Sequence, residues 1–251
     1  MVLTGATSGI GLALARRLSD VDVLVLQGPD ADPPSAVNAL PGARYLSADF
    51  RELGEVERLA SRILDLGPPD VLINNAAIPG PGRFARTTDG VEVTFQVNYL
   101  AGALLTDLLL AAMPDGARIV NTASATHYSA VLDLDDLDFE RQPYSAVAAY
   151  SRSKLAIVTA SRSLAARIPQ TVVSVHPGVI STGLLHAMFG SGGDSVEHGA
   201  ANLEAAMSAD VPSGTYLDES SPAAPNPIAD DPGFQERLHS LTSRLVGRPL
   251  R

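Results

Sequence analysis

A length of 251 residues accommodates one α/β domain with a full-sized hydrophobic core. The formal charge of −10 argues against a nucleic-acid-binding surface, which needs clustered Lys and Arg. The chain contains no Cys, and this excludes disulfides and thiolate metal sites. The length fits one such domain or two small domains, and the charge still allows a local positive pocket for a phosphorylated cofactor.

The N-terminal residues lack the features of a secretion signal, because no basic segment precedes an apolar run. The most apolar stretch, from Tyr99 to Met113, is interrupted by Gly102 and Asp107. It is also shorter than the roughly 20 residues that a bilayer-spanning helix needs. These features predict a cytoplasmic protein with no membrane span.

The N-terminus has the strand, glycine-rich turn and helix order of a phosphate-binding motif. Val2 and Leu3 form a short apolar strand, and Gly5, Gly9 and Gly11 follow before a helix that starts near Leu12. Glycines at these places allow a tight turn, close approach of backbone to a pyrophosphate, and close packing of helix on strand. The alternative is a flexible loop, but the flanking strand and helix favour a cofactor site.

The second strand, Asp22 to Leu26, is followed by the residues that choose between NAD and NADP. An acidic residue at this strand end binds the ribose 2′-hydroxyl of NAD, and an Arg accommodates the 2′-phosphate of NADP. Here the strand is followed by Gln27, Gly28, Pro29 and Asp30. Gln27 could donate a hydrogen bond to either form, so the sequence leaves the cofactor preference open.

The rest of the chain alternates strands and helices, which predicts a doubly wound parallel sheet with helices on both faces. Strands are predicted at 43–46, 70–73, 117–121 and 171–175, and helices at 53–66, 91–113, from before Tyr150 to about 167, and 232–246. A loop or short helix is expected at 31–41 and a surface loop at 220–232. Since ligands bind beyond the carboxyl ends of parallel strands, the residues that follow each strand should share one rim.

The segment 183–212 is interpreted as a flap over the substrate. Gly190, Gly192 and Gly193 separate two short helical segments and provide hinges. A flap that excludes water suits a site of hydride transfer.

Tyr150 and Lys154 lie four residues apart, so a helix places both side chains on one face. Lys154 is the one Lys of the chain, and the other basic residues are Arg. A compact ammonium beside a phenol favours the phenolate and lowers the pKa of the phenol towards the range of a general acid or base. The alternative is two residues on a solvated helix face, which the spacing alone does not exclude.

Taken together, these motifs resemble the short-chain dehydrogenase/reductase family over nearly the whole chain. The matching motifs are Thr4-Gly-x-x-x-Gly9-x-Gly11, Asp49, Asn74-Asn75-Ala76, Asn98, Ser124, Tyr150-x-x-x-Lys154 and Pro177-Gly178 with Thr182. The 26 positions from Ser124 to Tyr150 are about twice the usual number, and this long insert is similar to the retinol-dehydrogenase-like branch. The resemblance implies an α/β, single-domain Rossmann-type sheet.

The resemblance also implies the roles of individual residues. Tyr150 would exchange a proton with the substrate oxygen, Lys154 would lower the pKa of Tyr150 and bind the nicotinamide ribose, and Ser124 would hold the substrate oxygen. Asn98 would anchor a water that links Lys154 to solvent. Asp49 would contact the adenine, the Asn74 backbone the adenine ribose, and Thr182 the carboxamide. The full set of implied cofactor contacts is Gly5, Thr7, Ser8, Gly9, Ile10, Gly11, Asp49, Phe50, Asn74, Ala76, Pro177, Gly178, Val179 and Thr182.

The implied activity is hydride transfer between NAD or NADP and a small-molecule alcohol or ketone, with an apolar substrate pocket suggested by Val179 to Phe189. Two alternatives use the same residues: a non-catalytic NAD(P)-binding sensor or scaffold, and a reductase of conjugated C=C bonds. Pro29 stands where this branch usually has Arg, so we expect either dual cofactor use or a preference for NAD. The family allows homo-oligomers through the helices that hold Asn98 and Tyr150, and also monomers.

Other polar residues are interpreted as structural. The acidic run from Asp133 to Asp138 lacks the Gly and distal Glu of a calcium loop and predicts a solvated loop. His127 either lines the pocket or is an ordinary loop residue, and His176 is expected to be structural. No His pair has zinc-binding helical spacing, so no metal site is predicted.

Overall fold

The computed structural model describes residues 1–18 and 21–251, in which eight strands form one sheet. The strands are β1 (Val2–Leu3), β2 (Leu24–Gly28), β3 (Ala43–Ser47), β4 (Val71–Asn74), β5 (Arg118–Thr122), β6 (Thr171–His176), β7 (Tyr216–Asp218) and β8 (Ser221–Ala223). Their order is β3-β2-β1-β4-β5-β6-β7-β8, with β1 to β7 parallel and β8 antiparallel to β7. The predicted α/β doubly wound sheet of Rossmann type is confirmed.

Helices cover both faces of this sheet. They are α1 (Gly9–Arg17), α2 (Ser35–Asn38), α3 (Leu53–Leu66), α4 (Val93–Phe95), α5 (Ala101–Leu110), α6 (Ala146–Ala165), α7 (Gly183–Phe189), α8 (Val196–Ala206) and α9 (Pro232–Leu245). A π-helical turn, Gln96–Leu100, joins α4 to α5, and 3₁₀ turns lie at Ala125–Ser129 and Pro227–Asp230. The short helix predicted within 31–41 is α2, and α3 has the predicted bounds.

Successive side chains along each parallel strand point to opposite faces of the sheet, and this creates two hydrophobic cores, one on each face. Val2 and Leu72 are neighbours in the sheet and pack in the core with α3, α5 and α6, whereas Leu3 and Ile73 pack on the opposite face with α1 and α8. Both faces of the central strands are therefore buried, which explains their nearly continuous runs of Val, Leu and Ile.

By length and composition alone, the helical stretch Val93–Leu110 could cross a membrane, but 78% of it is buried inside the protein. Its apolar residues Leu100, Leu104 and Leu105 belong to the core shared with α3 and α6. Packing against the sheet accounts for this apolar composition without a bilayer.

Two strands were not predicted from the sequence. β7 and β8 have only three residues each, and β8 includes Pro222 at the edge of the sheet, where a missing backbone donor is tolerated. The predicted surface loop at 220–232 is therefore wrong at its start, because 221–223 pairs with β7. The last helix forms as expected: the Asp231 side chain accepts a bond from the Phe234 N–H (2.6 Å), and Pro232 occupies the first turn.

Candidate functional site

A large cleft lies at the carboxyl ends of β1 and β4. Chain order reverses at this point, because β2 and β3 lie on one side of β1 and β4 to β7 on the other. Such a switch point opens a crevice in which open α/β sheets bind ligands. The cleft has a volume of about 850 Å³ and is walled by the residues that follow β1, β4, β5 and β6, together with α7.

The glycine-rich turn between β1 and α1 forms the floor of this cleft. Gly5 and Gly9 have φ angles of 64° and 51°, which favour glycine over other residues. A Cβ on Gly5 would lie 2.6 Å from the Ala76 Cα, and one on Gly11 would lie 2.1 Å from the Gly5 carbonyl oxygen. These close approaches leave the first turn of α1 facing the cleft, where its backbone N–H groups and helix dipole suit a pyrophosphate. The turn therefore fits the dinucleotide that the sequence motif implies.

Gln27 has a role that differs from the sequence-based expectation. Its Oε1 accepts a bond from the Gly5 N–H (3.0 Å), and its Nε2 donates to the Ala48 carbonyl (2.7 Å). The side chain is buried, so it braces the glycine turn from the second strand. The sequence left open a hydrogen bond from Gln27 to the cofactor ribose, but the structure engages both the oxygen and the nitrogen of its buried amide within the protein.

Ser124, Tyr150 and Lys154 line the same cleft as the glycine turn. Ser124 begins the 3₁₀ turn after β5, while Tyr150 and Lys154 project from α6, as their spacing predicts. The Lys154 Nζ lies 5.4 Å from the centre of the Tyr150 ring and donates to the Thr122 carbonyl (2.7 Å). The sheet and α6 thus bring one hydroxyl, one phenol and one amine to the same cleft.

The pKa values of Tyr150 and Lys154 differ from those expected from the sequence. Burial raises the pKa of Tyr150 to about 12, and a hydrogen bond from the Ser124 hydroxyl opposes that shift. Burial also lowers the pKa of Lys154 to about 7, because an ammonium that is only 1% exposed loses its hydration. The expected lowering of the Tyr150 pKa by Lys154 is therefore wrong for the protein alone. Desolvation dominates for both groups, and Lys154 carries less than a full charge at neutral pH.

Asn98 lies behind the cleft, in the π-helical turn. Its Oδ1 accepts a bond from the Ile78 N–H (2.8 Å), and its Nδ2 donates to the Ile78 carbonyl (3.1 Å) and to Ser153 Oγ (3.1 Å). The Asn98 side chain therefore joins the loop after β4 to α6. These three bonds engage the Asn98 amide with Ile78 and Ser153. The anchoring of a water beside Lys154 by Asn98 stays a prediction.

Asn74 also lies away from the cleft, and its neighbour Asn75 takes the position expected for it. The Asn74 Nδ2 donates to Thr106 Oγ1 (2.9 Å) and Asn121 Oδ1 (2.8 Å) behind the sheet. Asn75 and Ala76 line the cleft, and both of their backbone N–H groups donate to Thr4 Oγ1. β4 ends at Asn74, one residue later than predicted. Because successive side chains of a strand point to opposite faces of the sheet, this shift of one residue turns the Asn74 side chain away from the cleft.

The other predicted cofactor residues border the cleft. They are Thr7, Ser8, Ile10, Asp49, Phe50, Pro177, Gly178, Val179 and Thr182, in addition to the glycines and Ala76. The Asp49 Oδ1 accepts the Arg51 backbone N–H (2.9 Å), which holds its carboxylate at the cleft edge. Thr182 Oγ1 accepts the Leu185 N–H (3.2 Å) and so begins α7, placing that helix over the cleft.

The two histidines near the site have different environments. His127 is fully buried, with Nδ1 2.7 Å from the Ser124 carbonyl oxygen and Nε2 accepting the Asn226 N–H (3.3 Å). It is therefore a brace between the Ser124 turn and the C-terminal segment, and it does not line the cleft. His176 is only 8% exposed yet lines the cleft, and its buried Nδ1 has no hydrogen-bond partner within the described residues. Burial lowers the pKa of both imidazoles.

The long insert before Tyr150 is ordered, and part of the predicted solvated loop is buried. Asp136 is buried and accepts the backbone N–H groups of Glu140 and Arg141 (2.7 and 3.2 Å). Arg152 on α6 donates to the Asp136 carbonyl (3.0 Å) and stacks over Phe139, 3.9 Å from the ring centre. The solvated-loop prediction is wrong for Asp136, whose carboxylate closes a turn against α6.

Comparisons with known proteins point to one family. The family model for short chain dehydrogenases matches residues 1–190. Human retinol dehydrogenase 13 is 34% identical over 283 residues, covering 98% of this chain and 84% of that protein. Mouse polyprenol dehydrogenase is 35% identical over 284 residues, covering 98% of this chain and 83% of that protein.

Two solved structures share the fold of this chain over most of its length. An uncharacterized protein from Mycobacterium paratuberculosis superposes with a TM-score of 0.84 at 28% identity, covering 100% of this chain and 94% of that one. A blue fluorescent protein from a metagenomic library, solved in complex with NADPH, gives a TM-score of 0.69 at 28% identity and covers 87% of this chain and 96% of that one.

Proposed function

Because the chain belongs to the short-chain dehydrogenase/reductase family, in its retinol-dehydrogenase-like branch, we propose that Ser124, Tyr150 and Lys154 catalyse its NAD(P)-dependent oxidoreduction of an alcohol or carbonyl compound. The observation that carries the proposal is that these three side chains share one cleft with the glycine-rich turn. A hydroxyl, a phenol and a buried amine at the end of a dinucleotide cleft form a proton-exchange site without a metal.

Each of these side chains has a distinct part in the proposed reaction. The cofactor, when bound, supplies or accepts the hydride. Ser124 holds the substrate oxygen and stabilises charge that develops on it. Tyr150 keeps its proton at neutral pH, since burial raises its pKa to about 12, and it can donate that proton to a carbonyl oxygen. Lys154, when protonated, has two N–H donors besides the one given to Thr122, and these are available for ribose hydroxyls.

The substrate proposed for this site is an apolar alcohol or carbonyl compound. Leu184, Leu185, Met188 and Phe189 on α7 wall the cleft near Val179, and their side chains offer no hydrogen bonds. The relatives that cover most of the chain are named for retinol and polyprenol, both apolar alcohols. These observations support an apolar substrate class.

A test of the catalytic proposal compares wild type with Tyr150→Phe in NAD(P)H oxidation with a panel of apolar ketones and aldehydes. Loss of the phenolic proton should lower turnover by about 10²–10⁴-fold, while the affinity for the nucleotide stays nearly unchanged. Tyr128→Phe is the matched control, because Tyr128 lies outside the cleft lining. Nucleotide binding without turnover in wild type would favour a sensor, and saturated products from enones would favour C=C reduction.

For the cofactor we propose dual use of NAD and NADP, or a preference for NAD. β2 is followed by Pro29 in place of the Arg that usually receives the 2′-phosphate, and Gln27 is engaged within the protein. Arg51 lines the cleft, but its Nη1 lies 3.7 Å from the Asp49 carboxylate. Dissociation constants for NADH and NADPH, measured by calorimetry at matched ionic strength, should therefore differ little or favour NADH. A large NADPH advantage would contradict this.

A further inference from the structure

The Pro177–Gly178 turn, which follows β6 on the cleft wall, is backed by three polar side chains from outside the cleft lining. Asn202 and His198 lie on α8, and Glu219 lies in the turn between β7 and β8. A Cβ on Gly178 would lie 3.5 Å from both Glu219 Oε1 and His198 Cδ2. These residues therefore sit directly against backbone that is expected to contact the cofactor.

Asn202 makes the direct bond to this turn. Its Nδ2 donates to the Pro177 carbonyl oxygen (3.1 Å), and the residue is only 8% exposed. This bond ties the Pro177–Gly178 turn to α8. Loss of this donor would leave a shielded carbonyl without its partner.

His198 links Asn202 to Glu219. Its Nε2 lies 2.9 Å from Glu219 Oε2 and 3.2 Å from Asn202 Nδ2. One ring nitrogen either carries a proton, which it donates to the carboxylate, or presents a lone pair, which accepts from the amide. Because the Glu219 carboxylate accepts the proton on Nε2, this nitrogen offers no lone pair to the Asn202 amide. The His198–Glu219 pair thereby directs the amide N–H to the Pro177 carbonyl.

Glu219 has a backbone conformation that indicates a constraint on this position. Its φ angle is 56°, in the left-handed region where Gly is favoured. Its N–H donates to the His176 carbonyl oxygen (2.8 Å), so the same residue holds the end of β6 by its backbone and His198 by its carboxylate. This conformation suits the two-residue turn between β7 and β8, and the turn places the Glu219 carboxylate beside His198.

We propose that Asn202 is a positioning residue for the cofactor turn and that the Glu219–His198 pair orients its amide. The inference rests on the proposed function, since the readout is nucleotide binding in this cleft. It also joins α8 to the Pro177–Gly178 turn, so the segment after the flap helix α7 supports a backbone turn of the cofactor cleft.

The first experiment measures the dissociation constants of NADH and NADPH for Asn202→Ala by nucleotide fluorescence. We expect both to weaken about tenfold, the effect of one buried hydrogen bond. Glu204→Gln is the matched control: it breaks an exposed ion pair with Arg17 on the same helix and should change either constant less than about twofold.

The second experiment, on Glu219→Gly, separates positioning from folding. Glycine accepts the left-handed backbone, so the melting temperature should stay unchanged or rise, while the nucleotide affinity falls about threefold. A purely structural Glu219 would leave the affinity unchanged. If both variants are folded and bind NADH like wild type, the inference is overturned. If Asn202→Ala does not fold, the NADH affinity of Glu219→Gly alone decides. If wild type binds neither nucleotide, the proposed function fails and the inference with it.

Discussion

Lys154 is buried as deeply as the apolar residues of the core, and this burial determines its chemistry. Its one protein partner within the described residues is the Thr122 carbonyl, which is neutral and cannot replace lost hydration of an ammonium. The pKa of Lys154 therefore falls to about 7. Near that pH the amine is close to half protonated, so its effect on Tyr150 depends on groups that arrive with the cofactor.

This shift predicts a pH dependence of stability. The folded-state pKa is about 7 and the unfolded value 10.5, so between these values the unfolded chain binds more protons, and stability rises with pH. Relative to Lys154→Met, wild type should therefore gain roughly 3–4 kcal/mol in unfolding free energy from pH 7 to pH 10. Urea unfolding of both proteins across this range measures the difference. Parallel curves would show that the ammonium is hydrated in the folded state.

The flap predicted at 183–212 consists of two elements with different attachments. α8 contributes Ala200, Leu203 and Ala206 to the core that includes α1, so its inner face is fixed. α7 contributes no buried residue and is bounded by Thr182 and the left-handed Gly190. The chain then returns through Asp194, whose N–H donates to the Val179 carbonyl (2.8 Å). The mobile part of the flap is thus proposed to be 183–193.

Hydrogen exchange tests this division of the flap. NADH binding should slow amide exchange in 183–193, because α7 closes over the occupied cleft, while exchange in α8 should change little. The experiment is mass spectrometry of peptides covering 183–193 and 196–206, with and without NADH. Equal protection of both peptides would mean that the whole segment closes as one unit.

At the scale of the whole molecule, the C-terminal helix packs on the helices that were expected, from the family resemblance, to mediate a homo-oligomer. α9 packs on α6, and the Tyr99 hydroxyl in the π-helical turn lies 2.6 Å from Thr242 Oγ1 on α9. The Arg251 backbone N–H also donates to Asp107 Oδ1 on α5 (2.8 Å). The helices expected to mediate a homo-oligomer are therefore covered by the chain itself.

We accordingly predict a monomer in solution. Light scattering after size exclusion, at micromolar to tens of micromolar protein, should give a mass near 26.1 kDa. A stable dimer that is disrupted by charged substitutions on the outer face of α9 would show that this helix forms an interface. A dimer unaffected by them would place the contact elsewhere on the surface.

The sequence by itself determined the strand and helix order, the glycine turn, and the helix that carries Tyr150 and Lys154, because these depend on local periodicity and backbone conformation. Only the tertiary structure decided what surrounds each polar group. It turned Asn74 behind the sheet, engaged Gln27 with the glycine turn, and brought Glu219 to His198 across 21 positions of chain. Burial and hydrogen-bond partners come from residues distant in sequence, so no local pattern could show that desolvation outweighs the Lys154 charge in setting the pKa of Tyr150.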